Sequence, residues 1–253
     1  MSKAFVDHFQ GVTQHYLNHR PSYPAALFDW LAQRCSQHEL AWDCGTGNGQ
    51  AAVSLAQHFQ RVLATDASAA QIAAATVHER VEYRLAPAEN SGLEPASVDL
   101  LIVAQALHWF DLERFYAEAR RVLKPTGIVA VWCYGIVELE GDAANQLLQH
   151  FYHQVVGPYW PAEREHVETG YRQLPFPFTP IEAPAFTMQV TWTRAQLMGY
   201  LRSWSATGRY QAAQGVDPVL AFEQAISSAW GDAGRGRLVS WPLSLRVGRA
   251  SGG

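Results

Sequence analysis

Short apolar runs alternate with amphipathic stretches between Tyr23 and Tyr134, and this alternation constrains the fold more than any other feature of the sequence. The apolar runs have the length of strands, and the stretches after them have the period of a helix, which is typical of a parallel sheet with helices on both faces. Right-handed crossovers turn that order into a doubly wound α/β fold. We therefore predict a Rossmann-like, mostly parallel sheet of seven strands.

The composition is that of a globular protein. The chain has 253 residues, a formal charge of −4 and 48% hydrophobic residues, enough to bury a large core. Its arginines are scattered, whereas a nucleic-acid-binding face would require a basic cluster. No run approaches the roughly 20 apolar residues of a membrane span, and the N-terminus has no signal-peptide core. We expect a soluble cytoplasmic protein with neither a membrane nor a nucleic-acid partner.

The three cysteines are far apart in the sequence. Cys35, Cys44 and Cys133 form no C-x-x-C pair, so the sequence predicts neither a disulfide framework nor a zinc site. Small buried hydrophobic residues are the simplest interpretation of such cysteines.

The stretch WDCGTGNGQ places Asp43, Gly45, Gly47 and Gly49 directly after a short apolar strand. Glycines at the carboxyl end of a strand allow a ligand to lie against the backbone, where side chains would exclude it. The dinucleotide fingerprint G-x-G-x-x-G would put its third glycine at position 50, which is Gln50 here. This departure disfavours a nicotinamide-dependent oxidoreductase.

The same stretch resembles the first motif of class I S-adenosylmethionine-dependent methyltransferases. The resemblance continues through four further motifs, ATDAS, APAEN, AQALHWF and RVLKPTG, and covers roughly residues 7–134. It is similar to the type 11 group and, within it, to the trans-aconitate methyltransferase branch. The resemblance implies S-adenosylmethionine as cofactor, S-adenosylhomocysteine as product, and a small-molecule acceptor with a carboxylate or hydroxyl group.

The resemblance also implies roles for residues at the first two motifs. Asp43 would face the ammonium group of the cofactor, directly or through water, and Asp66 would bind the two ribose hydroxyls. Ala67 would line the adenine, and Gly45, Gly47 and Asn48 would contact the cofactor through the loop. Asp66 lies 23 residues after Asp43, close to the distance at which a two-strand unit presents an acid to a ribose. Either acid could instead cap a helix.

Further cofactor contacts are implied at the later motifs and at the N-terminus. Ala88 and Glu89 match the place where the family holds the adenine edge, and Gln105 lies near the methionine portion or the sulfur. Glu89 could also be a solvated loop acid. Tyr16 and Arg20 belong to a segment that closes over the cofactor in the family, and the arginine could pair with the methionine carboxylate. A surface arginine beside core tyrosines is the alternative.

His108 is the one candidate base, because an imidazole titrates near neutral pH and could accept a proton from a hydroxyl acceptor. A structural histidine beside the cofactor is equally compatible with the sequence, and a carboxylate acceptor would need no base. Arg172 could hold an anionic substrate. We expect the acceptor pocket to be lined by aromatic residues downstream, namely Tyr134, Tyr159, Trp160, Tyr171 and Phe178.

The second half of the chain predicts a lid. Four prolines between Leu174 and Phe186 exclude a central strand there, and a long segment of this type in a compact domain is typical of a binding loop. We expect one domain over 1–253. Its parts are an N-terminal cap and cofactor-binding half (1–134), an aromatic and proline-rich lid (135–182), and strands and helices that complete the sheet (183–253). A non-catalytic cofactor-binding protein of the same fold is the alternative function.

Overall fold

The computed structural model describes residues 21–250, and its first half alternates strands and helices as the sequence predicts. The strands there are β1 (Leu40–Cys44), β2 (Arg61–Asp66), β3 (Val81–Leu85), β4 (Val98–Ala104) and β5 (Leu123–Tyr134). The helices are α1 (Ala25–Ala32), α2 (Gln50–Leu55), α3 (Ala69–Ala73) and α4 (Leu112–Val122), with a 3₁₀ turn at Leu107–Trp109.

The second half contains short strands and a group of helices. The strands are β6 (Glu138–Leu139), β7 (Thr179–Ile181), β8 (Thr187–Trp192) and the long β9 (Arg237–Arg249). The helices are α5 (Asp142–His150), α6 (Arg164–Glu168), α7 (Arg194–Arg202), α8 (Ser205–Gln214) and α9 (Pro218–Trp230), with a π-helical turn at Phe151–Val155 and a 3₁₀ turn at Gly157–Tyr159. The stretch RAQLMGYLRSWSATG suggests one helix, but it forms two because Trp204 adopts an extended backbone between them.

The main sheet has the strand order β3-β2-β1-β4-β5-β9, with β7 on the other side of β9. The first five strands are parallel, and β9 is antiparallel to both β5 and β7. These seven strands confirm the predicted Rossmann-like sheet. Pro180 lies in β7, which pairs only with β9, so the missing backbone donor can face away from the sheet.

Helices cover both faces of this sheet, which explains why its central strand is a continuous apolar run. In β4, residues 98–103 are all buried. On one face Leu100 and Ile102 pack with residues of α1 and α2, and on the other Leu101 and Val103 pack with residues of α4. The carboxyl ends of β1, β2, β4 and β5 therefore meet at one edge of the sheet, where parallel α/β folds bind ligands.

A second hydrophobic core lies beyond that sheet, and we call the part of the chain that builds it the cap (residues 137–160 and 187–241). The N-terminal half of β9 pairs there with β8 on one side and β6 on the other. The helices α5, α7, α8 and α9 bury their apolar residues against this small sheet. A single strand, β9, thus belongs to the main sheet at one end and to the cap at the other.

The cap combines residues from both of the ranges, 135–182 and 183–253, into which the sequence pattern divides the second half of the chain. Its core takes residues from both ranges, whereas Val167, Tyr171 and Phe178 return to the core of the main sheet. Within residues 21–250, none of the helices combines the length and the apolar character needed to cross a membrane.

Candidate active site

The loop after β1 contains three glycines with positive φ, which L side chains rarely adopt: Gly45 (+74°), Gly47 (+57°) and Gly49 (+86°). Two of them are also packed against protein. A Cβ at Gly45 would lie 2.7 Å from the Cβ of Ala106, and one at Gly49 would lie 2.7 Å from the Tyr83 ring. A Cβ at Gly47 would have one neighbour within 4 Å among residues 21–250, the Oε1 of Gln71 at 3.7 Å. The open side of the loop is therefore at Gly47.

Asp43 lies beneath this loop and is fully buried. The Thr46 hydroxyl donates a 2.6 Å hydrogen bond to its Oδ2, while its Oδ1 has no hydrogen-bond partner among residues 21–250. Burial raises the pKa of the Asp43 carboxyl to about 7, and the negative charge of Asp66 adds to the increase. Asp43 thus carries a carboxylate that is costly to ionise until a cation comes near.

Asp66 ends β2 and joins two loops. Its Oδ2 accepts a 2.9 Å hydrogen bond from the backbone N–H of Gly47, and its Oδ1 accepts one of 2.8 Å from that of Ser68. Ala67 is half-buried beside it. Asn48, in the glycine loop, accepts a 3.1 Å hydrogen bond from the Thr76 backbone N–H through its own carbonyl. The structure thus brings Asp66, Ala67, Gly47 and Asn48 together at the carboxyl edge of the sheet.

The residues of the third motif lie after β3. Ala88 is buried and belongs to the core of the main sheet. The Oε1 of Glu89 accepts a 3.0 Å hydrogen bond from the backbone N–H of Asp111, the N-cap of α4. The half-buried Glu89 carboxylate therefore connects two loops at the binding edge.

Gln105 follows β4 in a left-handed backbone conformation, with φ of 61°, which is uncommon for a residue other than glycine. Its backbone N–H donates to the carbonyl of Trp132, and its side-chain oxygen accepts a 2.9 Å hydrogen bond from the Tyr134 backbone N–H. The side chain thus bridges the ends of β4 and β5 through its oxygen.

His108 is largely buried in the 3₁₀ turn after β4. Its Nδ1 lies 2.8 Å from the hydroxyl of Tyr171, which is fully buried and has a positive φ of 58°. Burial lowers the pKa of His108 to about 3, and the positive charge of Arg164 adds to the decrease. The imidazole is therefore neutral at physiological pH, and it is a weak base.

Two of the predicted residues, Tyr16 and Arg20, lie outside the described part of the chain. The first described residue, Pro21, is close to the glycine loop, because its carbonyl accepts a 3.2 Å hydrogen bond from the Gln50 side chain. Gln50, which marks the departure from the dinucleotide fingerprint, thus joins the loop to the segment before α1.

The predicted aromatic pocket is only partly present. Tyr171 and Phe178 are core residues of the main sheet, whereas Tyr134, Tyr159 and Trp160 are half-buried and pack against the cap core. Arg172 is exposed, whereas Arg164 is half-buried and lies over the ring of Trp160. Arg164 was not predicted as a site residue from the sequence. The only local signal for it is Trp160, four residues earlier, over which its guanidinium lies at 4.8 Å from the ring centroid.

The strand order, the antiparallel β9 beside β5, and a glycine loop bonded to two carboxylates without dinucleotide spacing define the class of Rossmann-like methyltransferases. Comparisons with known proteins agree with this class. The family model described as a methyltransferase domain matches residues 42–131. That range contains the glycine loop, Asp66, Glu89 and Gln105.

Three relatives illustrate the match. A solved structure from Anaeromyxobacter dehalogenans, named as a type II methyltransferase, is 45% identical with a TM-score of 0.88, covering 91% of this chain and 98% of its own. A protein of Dictyostelium discoideum named as a methyltransferase is 32% identical over 89% of this chain and 87% of its own length. A Saccharomyces cerevisiae protein named as an S-adenosylmethionine-dependent methyltransferase is 32% identical over 47% of this chain and 44% of its own length. The chain therefore belongs to the class I S-adenosylmethionine-dependent methyltransferases, and its cofactor is S-adenosylmethionine.

Proposed function

We propose that this methyltransferase acts on a small molecule that binds between the carboxyl edge of the main sheet and the cap. One observation carries the proposal: Gly47 has room for a side chain among the described residues, in a loop that is hydrogen-bonded to Asp66 and, through Thr46, to Asp43. A cofactor with a cationic amino group and no phosphate requires this combination of bare backbone and negative charge.

The residues present are suited to the cofactor. The unpartnered Oδ1 of Asp43 supplies negative charge for the cofactor ammonium, and because Asp43 is fully buried we assign this effect to its charge rather than to direct contact. Asp66 would exchange backbone hydrogen bonds for the ribose hydroxyls, with Ala67 beside the adenine. The remaining proposed cofactor contacts are Tyr16, Arg20, Gly45, Asn48, Ala88, Glu89 and Gln105.

S-adenosylmethionine supplies the methyl group, which is bound to a positively charged sulfur. The positive charge already makes that sulfur a good leaving group. The chain therefore contributes mainly alignment of the acceptor and exclusion of water, effects that are worth up to roughly 7–11 kcal/mol in favourable systems. The cap provides a hydrophobic wall for both tasks, since Tyr134 and Trp160 pack against its core.

We assign His108 to the acceptor side of the site. A histidine with a pKa of about 3 removes a proton from a hydroxyl poorly, so the proposed role as a general base receives no support from its surroundings. The neutral ring can still hydrogen-bond an acceptor while Tyr171 orients it. A carboxylate acceptor is already ionised at neutral pH and needs no base.

Calorimetry with S-adenosylhomocysteine tests the cofactor site. We expect the Asp66→Ala variant to bind about 100-fold more weakly than wild type, because two hydrogen bonds to a charged group are lost at about 1.5 kcal/mol each. Asp142→Ala removes an exposed aspartate at the start of α5 in the cap and is the matched control. Equal affinity in wild type and Asp66→Ala would remove Asp66 from the ribose role, and no binding to wild type would end the proposal.

The acceptor is tested separately, by formation of S-adenosylhomocysteine in the presence of small carboxylic acids and alcohols. Cofactor binding without turnover on any of them would favour a non-catalytic cofactor-binding protein. The narrower likeness to the trans-aconitate methyltransferase branch, the cytoplasmic location and the lack of a nucleic-acid partner stay predictions of the sequence.

A further inference from the structure

Arg164 is a half-buried cation whose contacts fix its orientation, in the segment between the cap and the strand β7. Its Nε donates a 2.8 Å hydrogen bond to the Tyr152 hydroxyl, which in turn donates one of 2.6 Å to the Oε1 of Glu168. The guanidinium lies over the ring of Trp160. Only 18% of the side chain is exposed. Stacking and the single Nε bond fix the plane of the guanidinium, so little freedom remains to be lost when a ligand binds.

These contacts use only part of what an arginine can bind. A guanidinium has five N–H donors, and within residues 21–250 the hydrogen bond to Tyr152 is the one that the structure assigns to Arg164. The nearest carboxylate oxygen in the same part of the chain, Oε1 of Glu168, lies 4.0 Å from Nε and already accepts from Tyr152. Glu168 is therefore a long-range ion-pair partner of Arg164. Among the described residues, no side-chain hydrogen bond occupies the terminal nitrogens of the guanidinium, which can bind a further anion.

The surroundings of Arg164 connect it to the proposed acceptor site. The helix α6 that carries Arg164 contacts the end of β5, because the Val167 carbonyl accepts a 3.6 Å hydrogen bond from the Cys133 thiol. Just after α6, the Tyr171 hydroxyl lies 2.8 Å from Nδ1 of His108, whose pKa the charge of Arg164 also lowers. Arg164 and Trp160 also line a cavity of about 350 Å³. Two buried nitrogens nearby in sequence, Nε1 of Trp160 and Nδ1 of His166, have no hydrogen-bond partner among the described residues.

We propose that Arg164 binds a carboxylate of the methyl acceptor and so determines substrate specificity. The fork of N–H donors matches the two oxygens of a carboxylate, and the stacked Trp160 supplies an apolar surface for the rest of the molecule. Glu165 and Glu168 line the same cavity and oppose any anion, a phosphate dianion more than a carboxylate, so the contact with Arg164 has to outweigh them. This inference rests on the proposed small-molecule methyltransferase activity.

Binding of paired probes to the protein loaded with S-adenosylhomocysteine tests the inference. The probes are acetate, succinate, para-fluorophenylacetate and naphthylacetate, each compared with its primary amide by ligand-observed NMR. We expect at least one carboxylate to bind wild type at least about 10-fold more tightly than its amide, as a charge-assisted bidentate pair requires. Arg164→Gln should abolish that preference, and Arg164→Lys should retain part of it. Arg235→Gln removes an exposed arginine from the loop before β9 and should leave the preference unchanged.

Two results would overturn the role of Arg164. One is a wild-type protein that binds no carboxylate in preference to its amide, which is decided without any variant and so does not depend on how the variants fold. The other is an Arg164→Gln protein that keeps the preference. Failure of the proposed function is distinguishable from both, because wild type would then fail to bind S-adenosylhomocysteine itself.

Discussion

Asp43 is expected to make the cofactor-free protein less stable as the pH rises, and Asp43→Asn should remove this effect. The carboxyl is fully buried, and one of its oxygens has no hydrogen-bond partner in residues 21–250. Burial raises its pKa from 3.8 to about 7. The folded state therefore holds a proton on Asp43 that the unfolded state has released, and stability falls between about pH 4 and pH 7.

The magnitude follows from the size of the shift. A rise from 3.8 to about 7 is about three pKa units, and each unit corresponds to about 1.4 kcal/mol, so ionised Asp43 costs at most about 4 kcal/mol above about pH 7. Asparagine keeps an oxygen that can accept from the Thr46 hydroxyl but never ionises. The free energy of unfolding of Asp43→Asn relative to wild type should therefore grow with pH.

Urea unfolding of both proteins at about pH 5 and about pH 8 measures this difference. We expect the free energy of unfolding of Asp43→Asn relative to wild type to increase by about 2–4 kcal/mol from about pH 5 to about pH 8. Asp99→Asn is the matched control, because Asp99 is also buried but is paired with Lys124 at 2.8 Å and accepts from the Glu39 and Leu40 backbone N–H groups. Its neutralisation should destabilise the protein at about pH 8. A pH-independent difference between Asp43→Asn and wild type would refute the reasoning.

Two further substitutions probe the scaffold around the site. Gly45→Ala should destabilise the protein by about 1–3 kcal/mol in urea unfolding, since its φ is +74° and its Cβ would lie 2.7 Å from that of Ala106. Gly208→Ala should not, because a Cβ there would contact no side chain or neighbouring element of residues 21–250 within 4 Å, and equal effects would contradict the packing argument. Hydrogen bonds from Arg121 hold the pKa of Glu118 at about 2, so Glu118→Gln should lose about 2–3 kcal/mol at neutral pH. That loss should fade as the pH falls from about 4.5 towards 2, and a loss that persists there would contradict it.

The sequence determined the scaffold of the binding edge, because the signals involved are local. Strand and helix periods alternate within a few residues, so the parallel half of the sheet could be predicted from composition and spacing alone. The acids at the ends of β1 and β2 were predicted by the same logic. The structure places Asp43 and Asp66 at that edge, both bonded to the glycine loop.

The reason for each glycine of the loop could not be predicted from the neighbouring sequence. Gly45 and Gly49 are required because Ala106 and Tyr83 occupy the space where a side chain would lie, and those neighbours come from distant parts of the chain. The sequence indicated three positions with freedom for a ligand. Among the described residues, Gly47 is the one of the three with room for a side chain.

The tertiary structure alone decided the cap and the acceptor side of the site. The register of β9 pairs Arg249 with Ile128 and Leu238 with Thr191, so one strand joins two sheets through contacts that no sequence period reveals. The same holds for His108, whose weak basicity depends on burial beneath distant residues. In the sequence, Arg164 looks like any helical arginine. It becomes a candidate substrate-binding residue because it packs beside Tyr152 and Trp160 in the folded protein. Burial and long-range pairing set these properties, and both exist only once the chain has folded.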